Sequence, residues 1–226
     1  MKNLILRLFL LGFFIISISS CSSSEKPQAE VSNLSSPTAT TNATATNVVA
    51  RTDKIKFKTA DGSELFSLKQ DADGAKLVDG KNQELVKIKA EPSGKIKLKT
   101  AGDKVLGYIV TEKGSWKLEN PAQNKELYIL KRQNDSSYKL EDAAGKEIYQ
   151  IQARDNGWEI ATPDKKLVYQ VKVKEDKISL RNPSSKTVFS TKSGISTIAF
   201  ACFGLDVLTR EQQAALAYAV NLTGGR

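Results

Sequence analysis

CFGLDVLTREQQAALAYAVN, residues 202–221, is alanine-rich and helical in pattern, yet it follows a stretch, 54–192, that alternates lysine with aliphatic and aromatic residues at the two-residue period of a β-strand. Thr209 with Gln212 three positions on forms a capping-box pattern, so a helix is expected from there to about Val220, before Gly224 and Gly225. Just upstream, residues 198–205 are apolar on every side, which in a water-exposed domain means that protein surrounds them. What so β-rich a chain does with this segment decides its architecture.

Aligned on itself at a period of about 20 residues, the chain shows ELFSLK from Glu64, ELVKIK from Glu84, VLGYIV from Val105, ELYILK from Glu126, EIYQIQ from Glu147, LVYQVK from Leu167 and TVFSTK from Thr187. Their starts lie 20, 21, 21, 21, 20 and 20 residues apart. Between them run pairs of apolar residues two apart: Ile55 and Phe57, Ala75 and Leu77, Ile96 and Leu98, Trp116 and Leu118, Tyr138 and Leu140, Trp158 and Ile160, Ile178 and Leu180. Seven hairpin units result, with Asp61-Gly62, Asp73-Gly74, Asp79-Gly80 and Asn156-Gly157 expected to supply the positive φ of tight hairpin loops.

Three architectures compete for such a meander. A propeller blade consumes about 40–45 residues, so 54–192 would supply barely more than three blades, too few for a ring. An outer-membrane barrel needs an apolar exterior, whereas the face opposite Ile55, Phe57, Ile96 and Leu98 carries Lys54, Lys56, Lys58, Lys95, Lys97 and Lys99. A closed antiparallel barrel of about 12–14 strands remains, and a wall that wide leaves an apolar hole that its own side chains cannot fill. The segment 195–226 is the apolar material left to plug it. An open or partly single-layer sheet with a C-terminal helical cap is the alternative; inward aromatics at one repeat position, Phe66, Tyr128, Tyr149, Tyr169 and Phe189, weigh against it because they need a core.

A meander of hairpins around a hydrophobic C-terminal helix resembles the tubby-like superfamily, which groups tubby proteins, phospholipid scramblases and LURP-one-related proteins. STIAFACFGLDVL and AALAYAV are the local carriers of that likeness, which is architectural and spans 54–222. It implies the barrel and its plug, and it transfers no ligand-contacting residue.

At the other end, Lys2 and Arg7 precede the apolar run LFLLGFFIISI, short for a membrane span and right for an export signal. The run leads into ISSC, which resembles the lipobox of bacterial lipoproteins. That resemblance implies cleavage after residue 20, and a diacylglyceryl thioether and N-acyl chain on Cys21, with Ser22 favouring the outer membrane and a periplasmic face where the source is Gram-negative. Several chains anchor firmly, at about 0.8 kcal/mol per buried methylene. Residues 21–53 are rich in Ser, Thr, Ala and Asn and read as a flexible tether; the β-hairpin repeats then occupy 54–194. A lipidated Cys21 would leave Cys202 unpaired among Phe200, Ala201 and Phe203, a buried hydrophobe rather than a reactive thiol.

Chemistry-bearing patterns are scarce. The chain has no histidine, which removes the commonest general base and zinc ligand. DADG at 71–74 begins like a calcium loop, but Ala75 and Lys76 break it and a hairpin turn explains it. No catalytic residue, metal or cofactor is expected, and the chain reads as a non-enzyme; a carboxylate-based envelope hydrolase is the rival that would need paired acids in a cleft.

Charge is the functional lead. The formal net charge is +9, of which Lys2 and Arg7 contribute two. In the hairpin 85–100, Lys87 and Lys89 are expected beside Lys95, Lys97 and Lys99 on the outer face, with Lys54, Lys56 and Lys58 repeating the theme; later units carry Glu119, Glu141 and Glu159 instead. Like charges across strands are destabilising and invite an anionic partner, a lipid headgroup or an acidic cell-wall polymer, although lysines also serve solubility and discourage edge pairing. Nucleic acid is not expected outside the cytoplasm, and a monomer is. The leading reading is a lipid-anchored binding or scaffold module working through its surface; a carrier of lipid or another apolar ligand inside the barrel is the alternative.

Overall fold

The structure, a computed structural model, describes residues 54–192 and 194–224. The expectations for the export signal 1–20, for Cys21 and for the tether 21–53 lie outside the described residues.

The strands are β1 (Lys54–Lys58), β2 (Glu64–Asp71), β3 (Gly74–Asp79), β4 (Glu84–Ala90), β5 (Ile96–Thr100), β6 (Val105–Glu112), β7 (Ser115–Glu119), β8 (Glu126–Arg132), β9 (Tyr138–Asp142), β10 (Glu147–Arg154), β11 (Gly157–Ala161), β12 (Leu167–Lys174), β13 (Lys177–Arg181) and β14 (Thr187–Thr191). Each pairs antiparallel with its chain neighbours, and β14 returns to β1, so the sheet is a closed barrel of fourteen strands. Closure sets aside the open-sheet alternative and makes every one of the seven sequence units a full part of the wall.

Register follows from burial. Ile55, Phe57, Leu68, Leu77, Val86, Ile88, Leu98, Ile109, Leu130, Leu140, Ile151, Ile160 and Val171 all face inward and are at most 2 % exposed. A slip of one residue would turn each of them to water, so the alternation pins the pairing of every strand.

Of the glycines expected to supply positive φ, Gly62, Gly74 and Gly157 do and Gly80 does not. At one rim, here the first rim, all seven loops use one design: an opening Thr, Asp or Asn whose backbone pairs across the loop, and a left-handed residue three positions later. The openers are Thr59, Asp79, Thr100, Asn120, Asp142, Thr162 and Asn182, and the left-handed residues are Gly62, Asn82, Asp103, Gln123, Gly145, Lys165 and Ser185. The opener's side chain secures the loop; Asp79 Oδ1, for example, accepts from the N–H groups of Lys81 and Gln83, both at 2.8 Å. Gly80 therefore needs no positive φ, and Asn82 supplies it instead. At the opposite rim, Ala72-Asp73 and Asp155-Asn156 are two of four two-residue loops, each one position earlier than the dipeptide singled out in the sequence. Gly157 there serves close approach: a Cβ would lie 2.0 Å from the carbonyl oxygen of Val171.

The plug is a helical hairpin. Helix α1 (Thr197–Ala201) runs into a 3-10 turn at Cys202–Gly204, and α2 (Arg210–Leu222) returns. A fourteen-strand wall at about 4.8 Å spacing and about 40° tilt is roughly 28 Å across its backbone. Inward side chains of roughly 6 Å leave about 16 Å, more than one helix of about 10–12 Å fills. Two slender segments fit, and alanine makes them slender: Ala199, Ala201, Ala214, Ala215, Ala217 and Ala219 have no exposure. The first segment packs toward β11–β13 and the second toward β3–β7. Gly204 is part of that fit, since a Cβ would lie 2.6 Å from Ile160 Cδ1.

The plug is tied at both rims. At the second rim, Trp158 Nε1 donates to Thr197 Oγ1 and Trp116 Nε1 to Thr223 Oγ1, each at 2.9 Å, so the chain's two tryptophans hold the start and the finish of the hairpin. The N–H of Ser196 donates to Asn221 Oδ1 at 2.9 Å and clasps the two ends together. At the first rim the Thr209 capping box forms as the sequence indicates. Arg210 lies over the rings of Phe66 and Phe189 at 4.9 and 5.5 Å. Burial lowers its pKa, and Asp206 opposes that shift. Cys202 is fully buried; desolvation pushes its thiol well above the usual range, and its Sγ–H donates to the Ile198 carbonyl.

Candidate functional site

The outer face of β1–β5 is built from the same period-two text as the core, with lysine on the alternate positions. Cross-strand register places Lys54 opposite Lys69, Lys69 opposite Lys76, Lys76 opposite Lys87 and Lys87 opposite Lys99. Five strands therefore carry one continuous row of five lysines, roughly 19 Å long at about 4.8 Å per strand. Lys89 opposite Lys97 starts a second row alongside, which continues to Tyr108 and Glu119. Directly opposed like charges each oppose folding by up to about 1 kcal/mol, so the row is held in place by the inward residues between them, not by its own interactions.

Carboxylates from strand ends and turns relieve part of the repulsion. Glu64 meets Lys54 at 2.8 Å and Lys56 at 3.6 Å. Glu84 meets Lys76 at 3.1 Å and Lys87 at 3.8 Å. Asp103 meets Lys87 at 3.1 Å and Lys99 at 3.9 Å, and Glu91 meets Lys97 at 2.8 Å. The Lys54 hydrogen bond lowers the pKa of Glu64, that of Lys97 lowers Glu91, and that of Lys87 lowers Asp103; Glu91 in turn raises Lys97. Six lysines thus divide four carboxylates, while Lys69 and Lys89 have no ion-pair partner among the described residues. The sector keeps a positive surplus.

Of the five lysines expected from the sequence to form the patch, Lys87, Lys89, Lys97 and Lys99 stand together on β4 and β5 as drawn. Lys95 lies just before β5 and turns away, its Nζ donating to Glu119 at 3.2 Å and Gln123 at 2.9 Å. Sequence reasoning passed over Lys69 and Lys76, which join the β1 lysines to those of β4. The signal was present: the two-residue loop after Asp71 pairs Asp71 with Gly74, and counting back from it puts Lys69 against Lys76.

The opposite side of the barrel is balanced. Lys131 and Lys139 also face each other, but both bond Glu141, which is buried and whose pKa Lys131 lowers most and Lys139 next. Arg154 pairs with Glu159 at 2.6 Å, and Gln170 donates to the same carboxylate.

Among the described residues no three His, Cys, Asp or Glu side chains converge as metal ligands. The DADG stretch is a hairpin turn in which Asp71 Oδ1 accepts from the N–H of Asp73 at 3.1 Å. Compared with protein-family models, with curated proteins and with solved structures, the chain matches none.

Proposed function

We propose that this chain is a lipid-anchored, non-enzymatic binding or scaffold module of the cell envelope, held by acyl chains on Cys21 and contacting an anionic lipid or wall polymer through the lysine sector of β1–β5. The observation that carries the reading is the row Lys54, Lys69, Lys76, Lys87 and Lys99, set in direct register on five neighbouring strands. A lined-up surplus of ammonium groups that share too few carboxylates is a surface that an anionic partner relieves. The plugged interior supports a surface role over a carrier role, because α2 residues 214–220 and the phenylalanines Phe200 and Phe203 occupy the space an apolar cargo would need. Kinship with the tubby-like superfamily belongs to the same proposal and rests on the closed hairpin barrel around a C-terminal plug.

Because an anchor on Cys21 would by itself hold the chain on any bilayer, the test uses adhesion between two membranes. Full-length lipidated protein reconstituted in neutral phosphatidylcholine vesicles should cluster separate phosphatidylglycerol vesicles, with light scattering as the readout and loss of clustering as salt rises. Replacing Lys87, Lys89, Lys95, Lys97 and Lys99 by Gln should weaken clustering at least tenfold; unchanged clustering would remove the proposal.

A further inference from the structure

A cleft of about 380 Å³ opens on the outer face of β3 and β4, lined by Lys76, Lys87, Lys89 and Asp103 and, toward the second rim, by Asp71 and Asp73. Charges of both signs share this space without closing on one another. Lys76 reaches away to Glu84 and Lys87 to Asp103, each at 3.1 Å, while Lys89, Asp71 and Asp73 have no ion-pair partner among the described residues. Register explains the gap between them. Asp71 lies opposite Gly74 and Gly74 opposite Lys89, so an outer-face position with no side chain separates the two charges, whose strands stand roughly 10 Å apart over two spacings of about 4.8 Å. No larger residue fills that position, because a Cβ at Gly74 would lie 1.9 Å from the carbonyl oxygen of Ile88.

We propose that this cleft binds a headgroup that carries both a phosphodiester and a primary amine, the ethanolamine phosphate class, with the phosphate at Lys87 and Lys89 and the ammonium at Asp71 and Asp73. The inference rests on the reading of the lysine row as a ligand-binding surface and names the ligand for one stretch of it. A bare anion gains from the lysines but meets two carboxylates, and a bare cation gains from the carboxylates but meets the lysines; a ligand of both signs satisfies each side and is repelled by neither. The amine is primary because no aromatic ring lines the cleft to hold a trimethylammonium group by cation–π contact. An ammonium group instead brings three N–H donors to the carboxylate oxygens, and lysine serves the phosphate as a point charge.

The test is isothermal titration calorimetry with full-length protein in non-ionic detergent and three soluble headgroups: glycerophosphoethanolamine, glycerophosphocholine and glycerophosphoglycerol. The first should bind at least tenfold more tightly than either of the others. The Asp71→Asn, Asp73→Asn double variant, which keeps a side-chain acceptor for the N–H of residue 73, should melt near the parent temperature and bind all three alike; Lys89→Gln should weaken all three. Equal binding of the three headgroups by the parent, or an undiminished ethanolamine preference in the double variant, would overturn the proposal. The source of the headgroup is read separately: clustering of phosphatidylethanolamine vesicles over phosphatidylcholine vesicles assigns it to a lipid, and soluble binding without that clustering assigns it to a soluble or polymer-borne group. Because the row is read by phosphatidylglycerol clustering and the cleft by amine preference, failure of the first leaves the cleft standing, and equal headgroup binding removes the cleft and leaves the row.

Discussion

On the inner face of the wall, Leu77, Leu98 and Leu130 press against other apolar side chains and have no exposure; on the outer face of the same strands, Lys76, Lys99 and Lys131 stand partly in water and share carboxylates. The inner face is nearly uniform around all fourteen strands. The outer face is not, running from a lysine row on β1–β5 to basic residues gathered around Glu141 and Glu159 on β8–β11. One alternating pattern therefore serves two ends: the inner residues fix register with energy to spare, and that surplus lets the outer residues tolerate an arrangement that would not hold by itself.

The sharpest way to break this comparison is inside. Phe203 is 1 % exposed and its ring centre lies 4.8 Å from that of Phe57. Phe203→Ala should cost about 3–5 kcal/mol in urea unfolding, against within about 0.5 kcal/mol for Lys99→Gln on the outside. Comparable values at the two positions would mean that the plug is not packed as described.

Smaller effects should come from the ties at the second rim. Trp158→Phe and Trp116→Phe each remove one hydrogen bond to the plug, to Thr197 and Thr223, and each should cost about 1 kcal/mol. Hydrogen exchange should then rise first in α1 for the former and at the end of α2 for the latter.

The smallest effect separates the balanced side from the basic one. Glu141 has its pKa lowered from an ordinary 4.5 by Lys131 and Lys139. A carboxylate so depressed adds stability above its unfolded value, and that contribution is lost as pH falls through the lower folded value. Between about pH 6 and 3, Glu141→Gln should therefore lose less stability than the parent, by under about 1 kcal/mol because both lysines are partly hydrated. An identical acid limb in both proteins would show that the pair is idle.

Most of the barrel was legible because it rests on local repetition. Period-two text at 20–21-residue spacing names the strands, and their number demands stuffing that only residues beyond 194 could supply. The helix start at Thr209 was equally local, a side chain capping its own turn. The first-rim loops were read only in part because Gly draws the eye, as at Gly80, whereas the recurring signal there was the Thr, Asp or Asn three residues before the left-handed position. Two features could not be read locally. The unbroken lysine row depends on how successive hairpins dock, so Lys69 and Lys76 stayed hidden until register was known. The closing contact of β1 with β14 joins strands at opposite ends of the repeat, which no local pattern specifies.

The measurement that bears most directly on the role of the lysine row compares two variants that remove equal charge from different sectors. One carries Lys54, Lys69, Lys76, Lys87 and Lys99 changed to Gln; the other carries the exposed Lys125, Lys146, Lys165, Lys166 and Lys174 changed to Gln. Clustering of phosphatidylglycerol vesicles should fall at least tenfold in the first and stay near the parent value in the second, with both proteins melting near the parent temperature. Equal loss in the two would trace adhesion to net charge alone, and full clustering by the first would contradict the account.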